Sequence, residues 1–158
     1  MPPKHDARVT EAHIQALLMR HIFESLRHEL VIPNVNALLP YEADLVSFTR
    51  HGLLHEWEIK LDRYDYADDL KKPKHKTIPL GLIDSPAYFW YATYNFSISP
   101  PPHAGWVLVT SDGKVTIKKE APNHNSWKMG ADKYRYAAIT LSKRVMRMYL
   151  AYYFKQNP

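Results

Sequence analysis

With 158 residues, the chain is long enough to fold as one domain around a core of its own. Its 46% apolar and 13% aromatic content is globular rather than disordered, and the absence of cysteine excludes both a disulfide framework and a thiolate zinc site. A net charge of +5, from 21 Lys+Arg against 16 Asp+Glu, is compatible with a polyanionic partner such as nucleic acid.

Residues 1–9 read as a loose tail on a single domain spanning 1–158. From Thr10, a side chain suited to an N-cap, TEAHIQALLMRHIFESLRHEL reads as a helix. Ile14, Leu17, Leu18, Ile22, Leu26 and Leu30 recur at three- and four-residue spacing and form one apolar stripe. Pro33 and Asn34 then predict an irregular break or an edge strand. ADLVSFT and LLHEWEIK are short, β-branched and aromatic, and Arg50-His51-Gly52 between them predicts a hairpin. DRYDYADDLKK follows as a short polar helix, ended or bent by Pro73. PAYFWYATYN and GWVLVTSDGKVTIKKE supply further strands, the last two joined in a tight turn at Asp112-Gly113. KYRYAAITLSKRVMRMYLAYYF has helical periodicity and is expected to close the domain. Together these elements predict a small α/β or α+β domain with a central mixed sheet flanked by helices.

No apolar run reaches the roughly 18 residues of a membrane span, and the N-terminal MPPKHDARVTEAH lacks the apolar core of a secretory signal. The expectation is a soluble cytoplasmic protein without a membrane partner.

The hairpin carries the chemistry. Alternate strand residues share a face, so Glu58 and Lys60 project together while Trp57 and Ile59 project to the other side. A three-residue loop, with Gly52 in the left-handed position, makes opposed residue numbers sum to 102 and sets Asp44 across from Glu58, side-chain bases about 5 Å apart. Two carboxylates so close repel, and one is driven neutral unless a cation lies between them. Oxygen ligands without thiolate suit Mg²⁺ or Mn²⁺, and the Ile59 carbonyl offers one more oxygen. An ion held there polarises a phosphate and activates a bound water, while Lys60 positions or deprotonates that water or stabilises developing charge. The same Glu58 and Lys60 would equally serve as a solvated ion pair on an open sheet face.

YEADLVSF, a turn, then LLHEWEIK resembles the core of PD-(D/E)XK nucleases, with Ala43 in the place of the proline. LDRYDYADDLKKPKHK, AYFWYATYNFSI, HAGWVLVTSDG and VTIKKEAPNHN resemble the continuation in the MmcB-like DNA-repair branch and its phage relatives. The similarity covers roughly residues 40–125. It implies a restriction-endonuclease-like fold, Asp44 and Glu58 as ligands of Mg²⁺ or Mn²⁺, and Lys60 as the catalytic lysine. Many members add a glutamate from the first helix; Glu24 is the candidate, with Glu29 behind it, and an exposed helix glutamate is the alternative for both. The implied activity is a deoxyribonuclease, an endonuclease before an exonuclease, acting in repair, recombination or phage DNA processing, with a homodimer as one arrangement.

Lys71, Lys72, Lys74, His75 and Lys76 form the densest basic cluster and are expected to grip the phosphate backbone of DNA. Lys143, Arg144 and Arg147 form a second patch. Asp65, Asp68 and Asp69 read as charges at a helix N-terminus. Other chemistries find no support. His55-Glu56 begins a zincin motif that Ile59 interrupts, Asn123-His124-Asn125 lacks a ligand set, and neither a phosphate-binding glycine loop nor a Gly-x-Ser-x-Gly elbow occurs. Two alternatives to the enzyme stand: a DNA-binding or assembly protein that keeps the fold without turnover, and a small adaptor whose charged hairpin is only a soluble surface.

Overall fold

A computed structural model describes residues 9–36 and 38–156, so the expected tail at 1–9 lies outside the described residues except for Val9. Two compact units make up the chain, Met1–Lys128 and Met129–Pro158.

In the first unit, α1 (Glu11–Glu24) starts where Thr10 accepts a hydrogen bond from the His13 N–H. Ile14, Leu18 and Ile22 of its apolar stripe are fully buried. The helix stops six residues short of the expected end. Arg27 turns into the left-handed region (φ 58°), and the Glu29 N–H donates to the Phe48 carbonyl instead of to a helical turn. Leu30 then opens β1 (Leu30–Val35), whose pairing with β2 (Ala43–Phe48) replaces the last helical turns. Pro33 is accommodated because β1 is an edge strand, where a missing N–H costs little.

β2 continues into β3 (Leu54–Lys60) through the expected three-residue loop: the Thr49 N–H donates to the Leu53 carbonyl, and Gly52 is left-handed at φ 79°. The pairs Leu45–Trp57, Val46–Glu56, Ser47–His55 and Phe48–Leu54 all obey the register expected from that loop. Next come α2 (Arg63–Asp69), capped by Asp62, the short α3 (Lys74–Thr77), and a 3-10 turn at Ile78–Leu80. β4 (Tyr88–Tyr94), β5 (Ala104–Val109) and β6 (Val115–Lys119) complete the sheet. The β5–β6 connection is not a two-residue turn. It repeats the β2–β3 loop, with Thr110 bonded to Lys114 and Gly113 at φ 80°.

The sheet has six strands in sequential order, antiparallel except for the parallel pairs β3–β4 and β4–β5. It is a mixed sheet flanked by helices, an α+β fold as expected. One face carries Leu45, Trp57, Ile59, Trp90, Ala92, Val107 and Val109 and packs beneath α1. On the opposite face a smaller cluster of Ile78, Phe89, Tyr91 and Ala104 is covered in part by Tyr66 and Ile98. That thinner apolar layer leaves room on β3 for buried charge.

The second unit contains α4 (Ala131–Gln156), a continuous helix with Val145, Met148, Tyr149, Tyr152 and Phe154 exposed. Among the described residues, no helix is long and apolar enough to cross a membrane.

Candidate functional site

Strand alternation in β3 places Glu56, Glu58 and Lys60 on the thinly covered face, and all three are buried. Extending the observed register by one pair puts Asp44 opposite Glu58. Asp44 Oδ2 accepts the Ile59 N–H at 2.8 Å. Burial, then the negative charge of Glu58, pushes the Asp44 carboxyl up to about 7, against the lowering effect of that hydrogen bond. The charge of Glu58 thus adds to the effect of burial on Asp44.

Glu58 is surrounded by ammonium groups. Its Oε1 lies 2.9 Å from Lys60 Nζ and 3.4 Å from Lys72 Nζ, and its Oε2 lies 2.6 Å from Lys74 Nζ. Lys74 also binds Glu56 Oε1 at 3.0 Å, and Tyr41 donates to Glu56 Oε2 at 2.6 Å. Burial raises the Glu56 carboxyl, while Lys74 and Tyr41 oppose that shift. Burial by itself would lower the Lys60 ammonium, but Glu58, Asp69 and Asp65 outweigh it and hold Lys60 above the ordinary lysine value. Lys60 stands as a cation among these carboxylates, placed for positioning and charge stabilisation.

Asp69 anchors the other side of the cluster. It meets Lys72 at 2.6 Å and Lys60 at 3.5 Å, while the Tyr91 hydroxyl donates to its Oδ2 at 2.8 Å. His75 Nε2 lies 3.0 Å from the same oxygen. Although burial opposes it, the bond to His75 and the charges of Lys74 and Lys72 hold the Asp69 carboxyl far below the usual range. Asp69 closes α2 rather than opening it, so its expected reading as a helix N-terminal charge is corrected.

Two further expectations change. The basic cluster is divided: Lys74 and His75 are turned inward onto carboxylates, and Lys72, though half exposed, is paired with Asp69 and Glu58. Lys71 is exposed but bound to Asp68 at 2.7 Å, and Lys76 is exposed. Burying Glu56, Glu58 and Asp69 requires cations beside them, and α3 delivers Lys74 and His75 inward. Glu24, expected as a third ligand, is exposed at the C-terminal end of α1, beside a groove lined by Leu17, Arg20, His21, Gly113 and Val115. Glu29 is exposed where the chain enters β1. The α1 side chains near Asp44 are instead Glu11, whose charge also raises the Asp44 carboxyl, and Gln15, nine residues or about 14 Å up the helix axis from Glu24. Gln15 Nε2 donates to the Asp44 carbonyl and to Asn34 Oδ1, both at 2.9 Å.

Glu56, Asp69, Tyr41, Tyr91 and Gln15 were all missed by sequence reasoning. Glu56 was legible, because the alternation that pairs Glu58 with Lys60 also puts Glu56 on their face. Tyr91 comes from the neighbouring strand β4, paired with Glu58, and its role, like the places of Asp69, Tyr41 and Gln15, depends on how elements distant in sequence pack together.

Asp44 and Glu58 offer hard oxygen donors on adjacent strands, and Asp44 Oδ1 has no hydrogen bond among the described residues. The donor chemistry suits Mg²⁺ or Mn²⁺, which bind through one or two carboxylates and keep several waters. Among the described residues, no group of three or more histidines and carboxylates is arranged to hold a metal ion.

No family model matches the chain, and no curated protein matches it. It is similar in fold to a solved protein of unknown function from Silicibacter pomeroyi, with a TM-score of 0.64 and 13% identity over 96% of this chain and 97% of that one.

Proposed function

We propose that the chain is a metal-dependent deoxyribonuclease of the PD-(D/E)XK class. The observation that carries this reading is the half-buried Asp44 carboxyl across the hairpin from Glu58, raised to about 7 by its partial burial and then by that neighbour's charge, beside the charged Lys60. A carboxyl raised in this way is stabilised in its charged form by a cation placed beside it. Support also comes from the resemblance of residues 40–125 to that class, which implies a mixed sheet flanked by helices.

Asp44 and Glu58 would hold Mg²⁺ or Mn²⁺. When bound, the ion supplies Lewis acidity toward a phosphate oxygen and lowers the pKa of a coordinated water. The chain's own residues prepare the site around it. The Ile59 N–H fixes one oxygen of Asp44, and Gln15 ties the Asp44 backbone to α1. Lys60 keeps its proton and stands beside Glu58, where a positive charge stabilises negative charge developing on a phosphate. The cytoplasm and DNA as substrate belong to this same reading.

A second reading, a nucleic-acid-binding protein without turnover, is favoured by one observation: three lysine ammoniums already satisfy Glu58. One experiment separates the two. Labelled duplex, single-stranded, flap, nicked and branched DNAs are incubated with Mg²⁺, with Mn²⁺ or with chelator, using wild type, Asp44→Asn and Lys60→Met. Metal-dependent cleavage by wild type, reduced by about 10²-fold or more in both variants, is the expected outcome. Binding without cleavage under every metal condition replaces the enzyme with the binding protein.

A further inference from the structure

Lys72 and Lys74 contact the same carboxylate but differ in freedom. Lys74 is enclosed, its side chain 5% exposed, with Nζ 2.6 Å from Glu58 and 3.0 Å from Glu56. The ring faces of Tyr41 and Phe89 lie 5.2 and 5.0 Å from it. Withdrawing that ammonium would leave Glu56 and Glu58, two residues apart on one strand face, as adjacent buried anions. Lys74 is therefore fixed. Lys72 has a side chain 51% exposed, immediately before Pro73, and its Nζ bridges Asp69 at 2.6 Å and Glu58 Oε1 at 3.4 Å. Its half-exposed side chain can turn to solvent or to an external anion, and Asp69 then keeps Lys60 at 3.5 Å, His75 at 3.0 Å and the Tyr91 hydroxyl at 2.8 Å.

The consequence falls on Glu58. A cation shared with Asp44 meets ammonium groups on both oxygens of Glu58, the fixed Lys74 on Oε2 and, on Oε1, Lys60 and Lys72. Of these two, only Lys72 is free to move, because Lys60 is buried and also contacts Asp65 and Asp69. A phosphate arriving at the cluster offers Lys72 an alternative partner.

We propose that Lys72 is a positioning residue that competes with a divalent cation for Glu58, so that cation binding and phosphodiester binding are coupled through the release of its ammonium. The proposal rests on the metal site assigned above. Because binding linkage is reciprocal, the cation tightens nucleic-acid binding by the same factor by which nucleic acid tightens cation binding.

The test is Mn²⁺ affinity, read from the electron paramagnetic resonance signal of free Mn²⁺, with and without saturating phosphorothioate duplex DNA that resists cleavage. Wild type, Lys72→Met, Lys72→Gln and Asp44→Asn are compared, each checked for native circular dichroism. Asp44→Asn with duplex supplies the baseline for Mn²⁺ bound by the DNA itself. Wild type is expected to bind Mn²⁺ about tenfold more tightly with duplex than without, above that baseline. Both Lys72 variants are expected to bind about tenfold more tightly than wild type without duplex, and to gain little from it. Unchanged Mn²⁺ affinity in the folded Lys72 variants, or a duplex gain as large as that of wild type, overturns the coupling. A different result, Mn²⁺ binding by Asp44→Asn as tight as by wild type, overturns the two-carboxylate site itself.

Discussion

On the α1 side of the sheet, His28 and His55 meet edge to face with ring centroids 4.5 Å apart. Both are buried. Trp90 Nε1 donates to His55 Nδ1 at 3.1 Å, and His28 Nδ1 shares a hydrogen bond of 2.8 Å with Ser47 Oγ, which also accepts from Trp57. Protonating His55 at Nδ1 forfeits the Trp90 bond, and protonating either ring buries a charge. Burial lowers His28 to about 4, and burial followed by the nearby His28 lowers His55 to about 3. Below the ordinary value of 6.5 the unfolded chain therefore binds more protons at these positions than the folded chain. Their contribution to stability falls as pH drops through 6.5, and the loss is complete below their folded values. Asp44 runs the other way, since its raised carboxyl favours the folded state as pH falls from about 7 toward 4. Comparing variants cancels that opposing effect. Between pH 6 and 4.5, denaturant titration should show the stability of His28→Gln falling less steeply than wild type, by about 1 kcal/mol per pH unit. Parallel pH profiles would show that His28 already ionises in the folded state.

Elements explain which parts of the site were readable. The β2–β3 loop is local: Thr49, Gly52 and Leu53 close it, and its length alone sets the register that opposes Asp44 to Glu58. Gly52→Ala places a Cβ at φ 79° and is expected to cost about 1–3 kcal/mol in denaturant titrations. An unchanged midpoint would mean the loop readily adopts another turn. On β5, a Cβ at Gly105 would lie 2.5 Å from the Trp90 ring and 2.7 Å from the Ala121 backbone nitrogen. Gly105→Ala should therefore destabilise by about 1–3 kcal/mol, with thermal melting as the check, and an unchanged melting temperature would mean the backbone shifts at no cost. The end of α1 was not readable from periodicity. Leu26 and Leu30 continue the helical spacing, but pairing with β2 offers their backbone a different set of hydrogen bonds. The same limit applies to Glu24, whose suitability as a ligand depended on how far along α1 the site would lie.

At the scale of the whole molecule, charge is unevenly placed. α4 carries Lys133, Arg135, Lys143, Arg144, Arg147 and Lys155 against Asp132, a net of +5, which equals that of the entire chain. The rest is balanced, and in the first unit Lys60, Lys72 and Lys74 are committed to carboxylates around Glu58 and Asp69. If nucleic acid is the partner, α4 contributes phosphate contacts that Lys74 and His75 do not. Lys143→Gln with Arg147→Gln is then expected to weaken DNA binding and to reduce the slope of log affinity against log salt by about 2. Fluorescence anisotropy across a salt series measures it, and an unchanged slope would remove α4 from the interface.

Short-range chemistry was written in the sequence: strand alternation aligned Glu58 with Lys60, and a glycine-closed loop brought Asp44 opposite them. Those features follow from backbone geometry over a few residues, which tertiary context left intact. Which lysines face water was decided only by the tertiary structure. Lys72, Lys74 and His75 look like a solvated basic run until α2 and α3 are laid over β3, where buried carboxylates demand cations more strongly than solvent does. For the same reason Gln15, not Glu24, meets Asp44: the packing of α1 on the sheet, rather than residue type, determines which of its turns lies beside the site.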